Sequence, residues 1–284
     1  MTVYVLLSTI DGGLTAAAQV LLPPADGIRY VVCWQQTHPS ADSDPAVSEA
    51  ERLLLSRSDV RLSTMEGRGL CRSRNRAIAT ALEWQSDPLD DDIFVIADDD
   101  ERFLPDAFVR LREIYTRHPR LDSALMRLRS SSDGSYFKAY PDAWVDYRHR
   151  PRSYYPASWE ITFRSRVCQL GIRFDKRFGL GAEALCAGEE DVLLETLVRH
   201  GLNIYIVPVD LGTTDPVTTG SRVLDVKVLR SKGAVYGYTR PLWRAFLRSC
   251  REAIALSIRH HASPFRLFNE LWYGVKYIRL CPPS

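Results

Sequence analysis

Short apolar runs alternate along the chain with longer segments in which apolar residues recur every three or four positions. Runs of this kind are typical of strands buried on both faces of a parallel sheet, and the longer segments are typical of amphipathic helices. The alternation predicts an α/β fold with a mixed, mostly parallel sheet flanked by helices. The predicted strands are residues 3–8, 30–35, 60–63, 93–97, 123–129, 159–163 and 203–207.

Helical patterns lie between and after these strands. Phe108, Leu111 and Tyr115 define the apolar side of the strongest one. Gly201 is placed to end another helix at its C′ position, and Pro208 is expected to end the last strand. Residues 130–155 have weak periodicity, so we expect a variable loop around an active site there, and a further loop at 211–220. The predicted helices are 14–22, 70–82, 105–118, 166–171, 191–200, 241–259 and 265–280.

The composition changes after residue 221. Residues 222–284 hold twelve Lys/Arg against three Asp/Glu, a net charge of +9, which leaves −7 for residues 1–221. This asymmetry predicts a catalytic domain at 1–220 and a basic helical extension at 221–284. Such an extension either binds an anionic membrane surface or packs on the core or a second subunit. The apolar face of its first helix consists of Leu242, Trp243, Phe246, Leu247, Cys250 and Ile254.

Three carboxylates, Asp98, Asp99 and Asp100, directly follow the apolar run 93–97. Neighbouring carboxylates repel one another and raise one another's pKa. A hard divalent cation takes oxygen ligands, and ligands of open α/β sheets bind at the carboxyl ends of the strands. The sequence therefore indicates a metal site after this strand, with a solvated acidic turn as the alternative.

Arginines crowd the start of the helix that follows Gly67 and Gly69. Cations at a helix N-terminus oppose the helix dipole, so helix propensity does not explain them. Backbone N–H groups and arginines at a helix start suit a phosphate, whereas a solvated basic face is the alternative. The arginines are Arg68, Arg72, Arg74 and Arg76.

A second acidic run, Glu189, Glu190 and Asp191, opens the predicted helix 191–200 after a glycine-rich stretch. Acidic residues at a helix N-terminus are ordinary capping chemistry. Three in a row after such a stretch exceed what capping needs, which indicates a second functional element.

Taken in order, these motifs resemble those of bacterial family 2 glycosyltransferases of the GT-A fold. The resemblance rests on residues 69–76, on Asp98 to Asp100 about twenty residues further on, and on the stretch from Phe174 to Asp191. It covers roughly residues 3–220 and leaves the C-terminal helices outside. It implies a Rossmann-like GT-A fold and transfer of a sugar from a nucleotide-sugar donor.

The resemblance also implies roles for individual residues. Glu190 matches the catalytic base of the inverting enzymes, with Glu189 beside it and Asp191 the less favoured base. Trp159 and Gly181 are expected on the acceptor side. The residues expected to bind the nucleotide-sugar are Ser8, Thr9, Asp11, Gln35, Arg72, Arg74, Asn75, Asp98 and Asp99.

For the metal, Asp98 and Asp100 match the D-x-D motif that holds Mn²⁺ or Mg²⁺ against the donor diphosphate. Members with this pattern often carry a metal-binding histidine just after the last strand. Here the sequence reads Thr214-Asp215-Pro216, so either Asp215 is the third ligand or that ligand is missing.

The chemistry of glycosyl transfer agrees with these assignments. The leaving diphosphate must be neutralised by a cation and arginines, and the acceptor hydroxyl must lose its proton to a positioned carboxylate. Asp98, Asp100 and Arg74 supply the first requirement, and Glu190 supplies the second. One carboxylate base opposite the leaving group produces direct displacement with inversion.

The predicted function is therefore an inverting, metal-dependent hexosyltransferase in cell-surface polysaccharide synthesis. Its expected partners are a UDP- or GDP-linked donor, a glycan or lipid-linked acceptor and an anionic membrane surface, with no nucleic acid. The alternatives are a GT-A-like nucleotidyltransferase and a non-catalytic membrane-surface scaffold or glycan-binding protein.

Localisation follows from what the sequence lacks. The N-terminus has no signal-peptide pattern, no apolar stretch is long enough to span a bilayer, and the six cysteines form no C-x-x-C pair. These features predict a cytoplasmic protein with reduced thiols, peripheral on the inner face of the cytoplasmic membrane.

Overall fold

The computed structural model describes residues 1–37, 44–87, 91–215 and 223–282. The chain divides into two compact units. Unit 1 comprises Met1–Arg68, Arg72–Arg173 and Thr196–Pro216, and unit 2 comprises Gly69–Cys71, Phe174–Glu195 and Val217–Ser284. The predicted domain boundary at residue 220 falls in 216–222, outside the described residues, so it stays a prediction.

Unit 1 is built on a single sheet with the strand order β3-β2-β1-β4-β8-β6-β9-β5, and β7 pairs with β9. The first four strands of this order are parallel, as are β6 and β9, whereas β8, β5 and β7 run antiparallel to their neighbours. The strands are β1 Val3–Ile10, β2 Ile28–Gln36, β3 Val60–Glu66, β4 Ile93–Asp98, β5 Arg102–Phe103, β6 Ser123–Ser130, β7 Val145–Asp146, β8 Ile161–Arg164 and β9 Ile204–Thr214.

Helices account for most of the remaining described chain. In the described residues they are α1 Leu14–Val20, α2 Pro45–Leu55, α3 Leu70–Trp84, α4 Ala107–Arg117, α5 Arg166–Gln169, α6 Glu189–Arg199, α7 Val226–Thr239, α8 Leu242–His260 and α9 Pro264–Leu280. Among these residues, no helix is long and apolar enough to cross a bilayer. All six cysteines are free thiols, as predicted.

Both faces of the central strands are buried, as the continuous apolar runs predict. On one face, alternate residues of β1, β2 and β4 pack against apolar residues of α1, α2 and α4. On the other face, Tyr4 of β1 contacts Phe94 of β4 and Trp84 of α3 through edge-to-face ring packing. The predicted α/β fold is confirmed.

The last strand is longer than predicted. β9 continues through Pro208 to Thr214, so the predicted strand end at Pro208 and the predicted loop over 211–214 are wrong. The pairing register of β6 with β9 shifts between Leu125 and Leu128. Proline cannot donate a ladder hydrogen bond, and this irregularity accommodates it, as is usual for proline at bulges.

Two helices were not predicted. α2 begins with Asp44, whose carboxylate accepts a hydrogen bond from the Ala46 N–H, followed by Pro45 in the first turn. This start is a recognisable N-terminal signal. α7 contains Gly233 and Gly237, which lower helix propensity and hide its pattern. The strand predicted from residue 159 begins instead at Ile161, after a 3₁₀ turn.

Unit 2 is held by close helix packing between α7 and α9. A Cβ atom added at Gly233 would lie 1.8 Å from the Leu271 carbonyl oxygen, and one at Gly274 would lie 1.9 Å from the Arg230 carbonyl oxygen. The two backbones therefore touch, and only glycine fits at these crossing points.

Candidate active site

The carboxyl ends of β1 and β4 lie side by side. The two strands pair in parallel with Ser8 opposite Asp98. The next residue of β1, Thr9, donates a hydrogen bond from Oγ1 to Oδ2 of Asp99 over 2.5 Å. Parallel pairing thus brings together four of the residues predicted to bind the donor, Ser8, Thr9, Asp98 and Asp99.

The loop after β1 is tied to the end of β2 by Asp11. Its carboxylate accepts hydrogen bonds from the backbone N–H and the hydroxyl of Thr37, over 2.8 and 2.7 Å. Its carbonyl accepts one from Nε1 of Trp34 over 2.9 Å. Gln35, also a predicted nucleotide contact, donates from Nε2 to the Thr9 carbonyl over 3.3 Å. These bonds place Asp11 and Gln35 beside the β1–β4 edge.

This loop also needs a glycine at position 13. A Cβ atom there would lie 2.5 Å from Oδ2 of Asp99 and 2.6 Å from Oγ1 of Thr9. The hydrogen bond between Thr9 and Asp99 therefore requires the bare backbone of Gly13.

Arg74 has a different environment from the one expected of a phosphate ligand. It lies on α3 with only 1% of its surface exposed. Its Nη2 donates to both carboxylate oxygens of Asp98, over 3.2 and 3.3 Å. The buried guanidinium thus holds the first carboxylate of the acidic turn in place. On the same helix Arg72 is exposed and Asn75 is half-buried.

The acidic turn holds a fourth carboxyl group beside the three predicted ones, because Glu101 follows them and is fully buried. Burial and the nearby charge of Asp98 raise the pKa of Glu101 well above its usual range. Burial likewise raises the pKa of Asp99 and of Asp100, and the charge of Asp98 adds to both shifts. A cation bound at this turn would relieve the repulsion among these groups.

Glu101 is one of three residues at this edge that sequence reasoning missed. Its Oε1 accepts the backbone N–H of Asp98 over 3.0 Å, and Ser158 donates from Oγ to Asp98 over 3.3 Å. Ser73 of α3 donates from Oγ to Oγ of Ser8 over 3.0 Å. The unbroken acidic run was a signal for Glu101. Ser158 has none, since its contact spans 60 positions of the chain.

The carboxylates of the acidic turn are suited to a divalent cation that is bound together with a diphosphate. Magnesium is commonly held by one or two carboxylates plus substrate phosphates rather than by an all-protein cage. Asp98 and Asp100 offer two carboxylates at one sheet edge. Within the described ranges no group of three or more His, Cys, Asp or Glu side chains is arranged to hold a metal by itself. Asp215 directly follows β9 and is exposed, and its role as third ligand stays a prediction.

In unit 2, the second acidic run begins α6. The helix starts at Glu189, two residues earlier than predicted, and Glu190 and Asp191 complete its first turn. Glu189 is buried, whereas Glu190 and Asp191 are half-buried. A Cβ atom at Gly179 would lie 3.5 Å from Oε1 of Glu189, so the glycine-rich stretch runs against this carboxylate.

The two predicted acceptor residues have distinct surroundings. Trp159 lies in unit 1, packs against the sheet core and contacts the ring of Phe137 at a centroid distance of 5.8 Å. Its Nε1 is buried without a hydrogen-bond partner among the described residues. Gly181 lies in unit 2, is exposed and has a φ of +88°, a conformation that favours glycine. The acceptor roles stay predictions.

Comparison with known proteins produced matches to solved structures alone: no family model and no curated protein matches the chain. TarS of S. aureus, residues 1–349, is 12% identical with a TM-score of 0.58, over 98% of this chain and 91% of TarS. The mannosyltransferase PcManGT from Pyrobaculum calidifontis, solved with GDP-Man and Mn²⁺, is 16% identical with a TM-score of 0.50, over 98% of this chain and 70% of that one.

A third match is the glucosyl-3-phosphoglycerate synthase from Mycobacterium tuberculosis, solved with Mg²⁺ and UDP. It is 16% identical with a TM-score of 0.52, over 84% of this chain and 80% of that chain. At such identities the likeness concerns the fold. The chain has the GT-A fold, as the sequence motifs implied.

Proposed function

We propose that this protein is a metal-dependent glycosyltransferase that moves a hexose from a UDP- or GDP-linked donor to a glycan or lipid-linked acceptor, with inversion. One observation carries the proposal: in a GT-A fold, an acidic turn at the carboxyl end of β4 is tied by Thr9 and Asp99 to the loop after β1. This is the edge of an open α/β sheet where ligands bind. The ligands of two structural neighbours, GDP-Man with Mn²⁺ and UDP with Mg²⁺, support it.

In this proposal Asp98 and Asp100 hold Mn²⁺ or Mg²⁺, and Asp215 is a candidate third ligand. The bound cation supplies charge neutralisation for the leaving diphosphate. Arg74 fixes the orientation of Asp98. Arg72 is exposed on the same helix, so its guanidinium is accessible to a phosphate. Asn75, Asp11, Gln35 and Ser8 complete the donor contacts.

In this proposal Asp99 holds the loop after β1 in place. Its carboxylate accepts the Thr9 hydroxyl and leaves no room for a side chain at position 13. Without a side chain at this position, the loop backbone lets a nucleotide approach the carboxyl ends of the strands closely.

For the chemical step, the proposal assigns the base to Glu190, with Glu189 and Asp191 beside it. The carboxylate removes the proton of the acceptor hydroxyl as that oxygen attacks the anomeric carbon. The bond to the diphosphate breaks on the opposite side, so the anomeric configuration inverts. Trp159 and Gly181 are the proposed acceptor contacts, and we place the reaction on the cytoplasmic side in cell-surface polysaccharide synthesis.

Turnover of a panel of UDP- and GDP-sugars, with and without Mn²⁺, tests the proposal. We expect release of a nucleoside diphosphate that stops when EDTA removes the metal. The change Glu190→Gln should lower turnover by at least about 100-fold while donor binding persists, since general-base catalysis contributes at least this factor. Glu195→Gln, on the same helix, is the matched control and should retain turnover.

The product distinguishes the alternatives. Release of pyrophosphate from a nucleoside triphosphate and a sugar phosphate would identify a nucleotidyltransferase instead. Neither nucleotide binding nor turnover with any donor would favour the non-catalytic scaffold.

A further inference from the structure

Helix α8 packs mainly through small residues and exposes most of its large apolar ones. Ala245, Ser249, Ala253 and one large residue, Leu256, are buried in unit 2. Most large residues of its predicted apolar face are exposed, with an exposed fraction of 59% at Trp243, and Ile258 further along the helix is 73% exposed. Burial of large side chains stabilises a fold more than burial of alanine, so folding of unit 2 does not explain where these residues lie.

These exposed residues form one continuous strip. At about 100° per residue they fall within an arc of roughly 160° that extends over the full helix, which is about 28 Å long. The α8 surface, as we call it, consists of Leu242, Trp243, Phe246, Leu247, Ile254 and Ile258. A contiguous exposed apolar surface of this kind marks an interaction site in a soluble protein.

Aromatic residues of α9 extend the α8 surface. Phe246 contacts the rings of Phe268 and Trp272 edge to face, and the latter two stack on each other with centroids 6.0 Å apart. Trp272 lines a shallow apolar groove together with the N-terminal half of the α8 surface. Phe265, at the start of α9, is 81% exposed.

Positive charge borders this surface on one side. Four arginines of α8 follow it around the helix, and Arg244 lies over the Trp243 ring at 4.9 Å. The one acidic residue of α8, Glu252, forms ion pairs with Lys232 and Arg248. The arginines are Arg244, Arg248, Arg251 and Arg259.

We propose that the α8 surface binds an anionic lipid bilayer, with its apolar residues at the boundary between headgroups and acyl chains and its arginines on lipid phosphates. An apolar strip can bind a second copy of the chain or a membrane, and the charge of this segment favours the membrane. Residues 222–284 carry +9, so two copies repel each other there, whereas an anionic membrane attracts this segment. An apolar face with Trp, Phe and Leu beside an arginine-rich face is the pattern of helices that lie in the membrane interface. The inference does not depend on the proposed reaction.

Vesicle sedimentation of the full chain tests it directly. We expect binding to vesicles with one third phosphatidylglycerol and weak binding to pure phosphatidylcholine. The variant Trp243→Ser/Leu247→Ser/Ile254→Ser should bind at least about 50-fold more weakly, because three large apolar side chains no longer leave water. The matched control, Leu53→Ser/Leu55→Ser/Leu170→Ser, removes three equally exposed apolar residues elsewhere and should bind within about twofold of the wild type.

A second pair of substitutions tests the contribution of the arginines. Arg244→Gln/Arg251→Gln should weaken binding to the anionic vesicles roughly 20-fold, since each arginine near such a surface contributes about a fivefold factor. Binding to phosphatidylcholine should stay the same. An equal loss on both vesicle types would contradict the role of the arginines.

A conservative variant guards against misfolding. Brominated acyl chains should quench part of the wild-type tryptophan fluorescence, and Trp243→Phe should reduce that quenched part to the share of Trp272 while the protein still sediments with vesicles. The proposal is overturned if the triple serine variant sediments like the wild type, or if bound wild type shows no quenching. It is also overturned if the wild type binds no vesicle. Self-association in analytical ultracentrifugation that the triple variant abolishes would then show that a second copy covers the surface.

Discussion

Unit 1 buries charged side chains, whereas unit 2 exposes large apolar ones. In unit 1, Arg74, Glu101, Glu160 and Arg164 each have at most 2% of their surface exposed. In unit 2, the α8 surface presents six large apolar residues to water. Both arrangements are unfavourable for a chain that only needs to fold, since buried charge loses hydration and exposed apolar surface promotes association.

The two units differ in how this is compensated. Away from the acidic turn, buried charge in unit 1 is neutralised inside the unit: Arg164 donates to the carbonyls of Leu121 and Tyr115 and to Asp91. In the proposal above, a lipid bilayer supplies the compensation for the α8 surface. Repulsion that remains among the carboxyl groups of the acidic turn indicates a small cationic ligand, whereas an unpacked apolar strip indicates an extended binding partner.

The largest effect is expected in the helical unit, where packing rather than pairing supplies stability. Gly274→Ala places a methyl group on the Arg230 carbonyl, so we expect a loss of about 3 kcal/mol or more in the free energy of unfolding. Gly12→Ala, where a Cβ meets no neighbour within 4 Å, is the control, with a change of less than about 1 kcal/mol. Urea unfolding followed by circular dichroism measures both. Similar midpoints would show that α7 and α9 do not pack as closely as described.

A smaller effect separates buried from exposed ion pairs. In unit 1, Glu160 accepts hydrogen bonds from Tyr140 and Tyr154 and forms an ion pair with Lys138 over 2.6 Å. Burial raises the pKa of Glu160, and Lys138 opposes that rise. Lys138→Met leaves a buried carboxylate without its cation, so we expect a loss of about 3 kcal/mol in the free energy of unfolding at neutral pH.

That loss should depend on pH in a defined direction. Without Lys138 the pKa of Glu160 rises further in the folded state and stays ordinary in the unfolded state. Stability is then highest below the ordinary carboxyl pKa and falls as pH rises from that pKa through the raised one, so the effect of Lys138→Met should grow as pH rises above the ordinary carboxyl range. The more exposed pair in unit 2 is the control: Lys232→Met should change stability by less than about 1 kcal/mol. A pH-independent effect of Lys138→Met would contradict burial of the charged pair.

The smallest effect concerns the tie between the acidic turn and the loop after β1. Asp99→Asn weakens the hydrogen bond from Thr9, because a neutral oxygen is a poorer acceptor than a carboxylate. We expect nucleoside diphosphate affinity to fall about five- to tenfold in isothermal titration calorimetry, with little change in thermal stability. Asp106→Asn, an exposed aspartate eight residues from Asp98, should bind as the wild type does. Unchanged affinity in Asp99→Asn would remove this residue from the donor site.

Strong local patterns made much of the sheet predictable. The apolar runs of β1, β2 and β4 predict strands buried on both faces. The carboxylates after β4 predict the acidic turn at the carboxyl end of that strand. Pro208 was misleading because a bulge, set by pairing with β6, lets a proline remain inside β9. α7 was missed because its glycines serve contacts with α9 that are distant in sequence.

Side-chain partners were the least predictable part of the site. Four arginines near the start of α3 look alike in the sequence, yet Arg74 is buried against Asp98 while Arg68, Arg72 and Arg76 are exposed. The α8 pattern correctly separated apolar from basic residues, but periodicity does not tell which face of a helix packs. Small residues such as Ala245 form most of the face through which α8 packs.

The most direct test of the central claim is calorimetric titration of UDP and GDP into the protein with and without Mn²⁺. We expect one nucleoside diphosphate to bind in the micromolar range with Mn²⁺ and at least about tenfold more weakly without it. Asp98→Asn and Asp100→Asn should each remove the metal dependence, whereas Asp106→Asn should preserve it. Binding that is indifferent to Mn²⁺, or that survives unchanged in both site variants, would contradict a metal-dependent donor site at the end of β4.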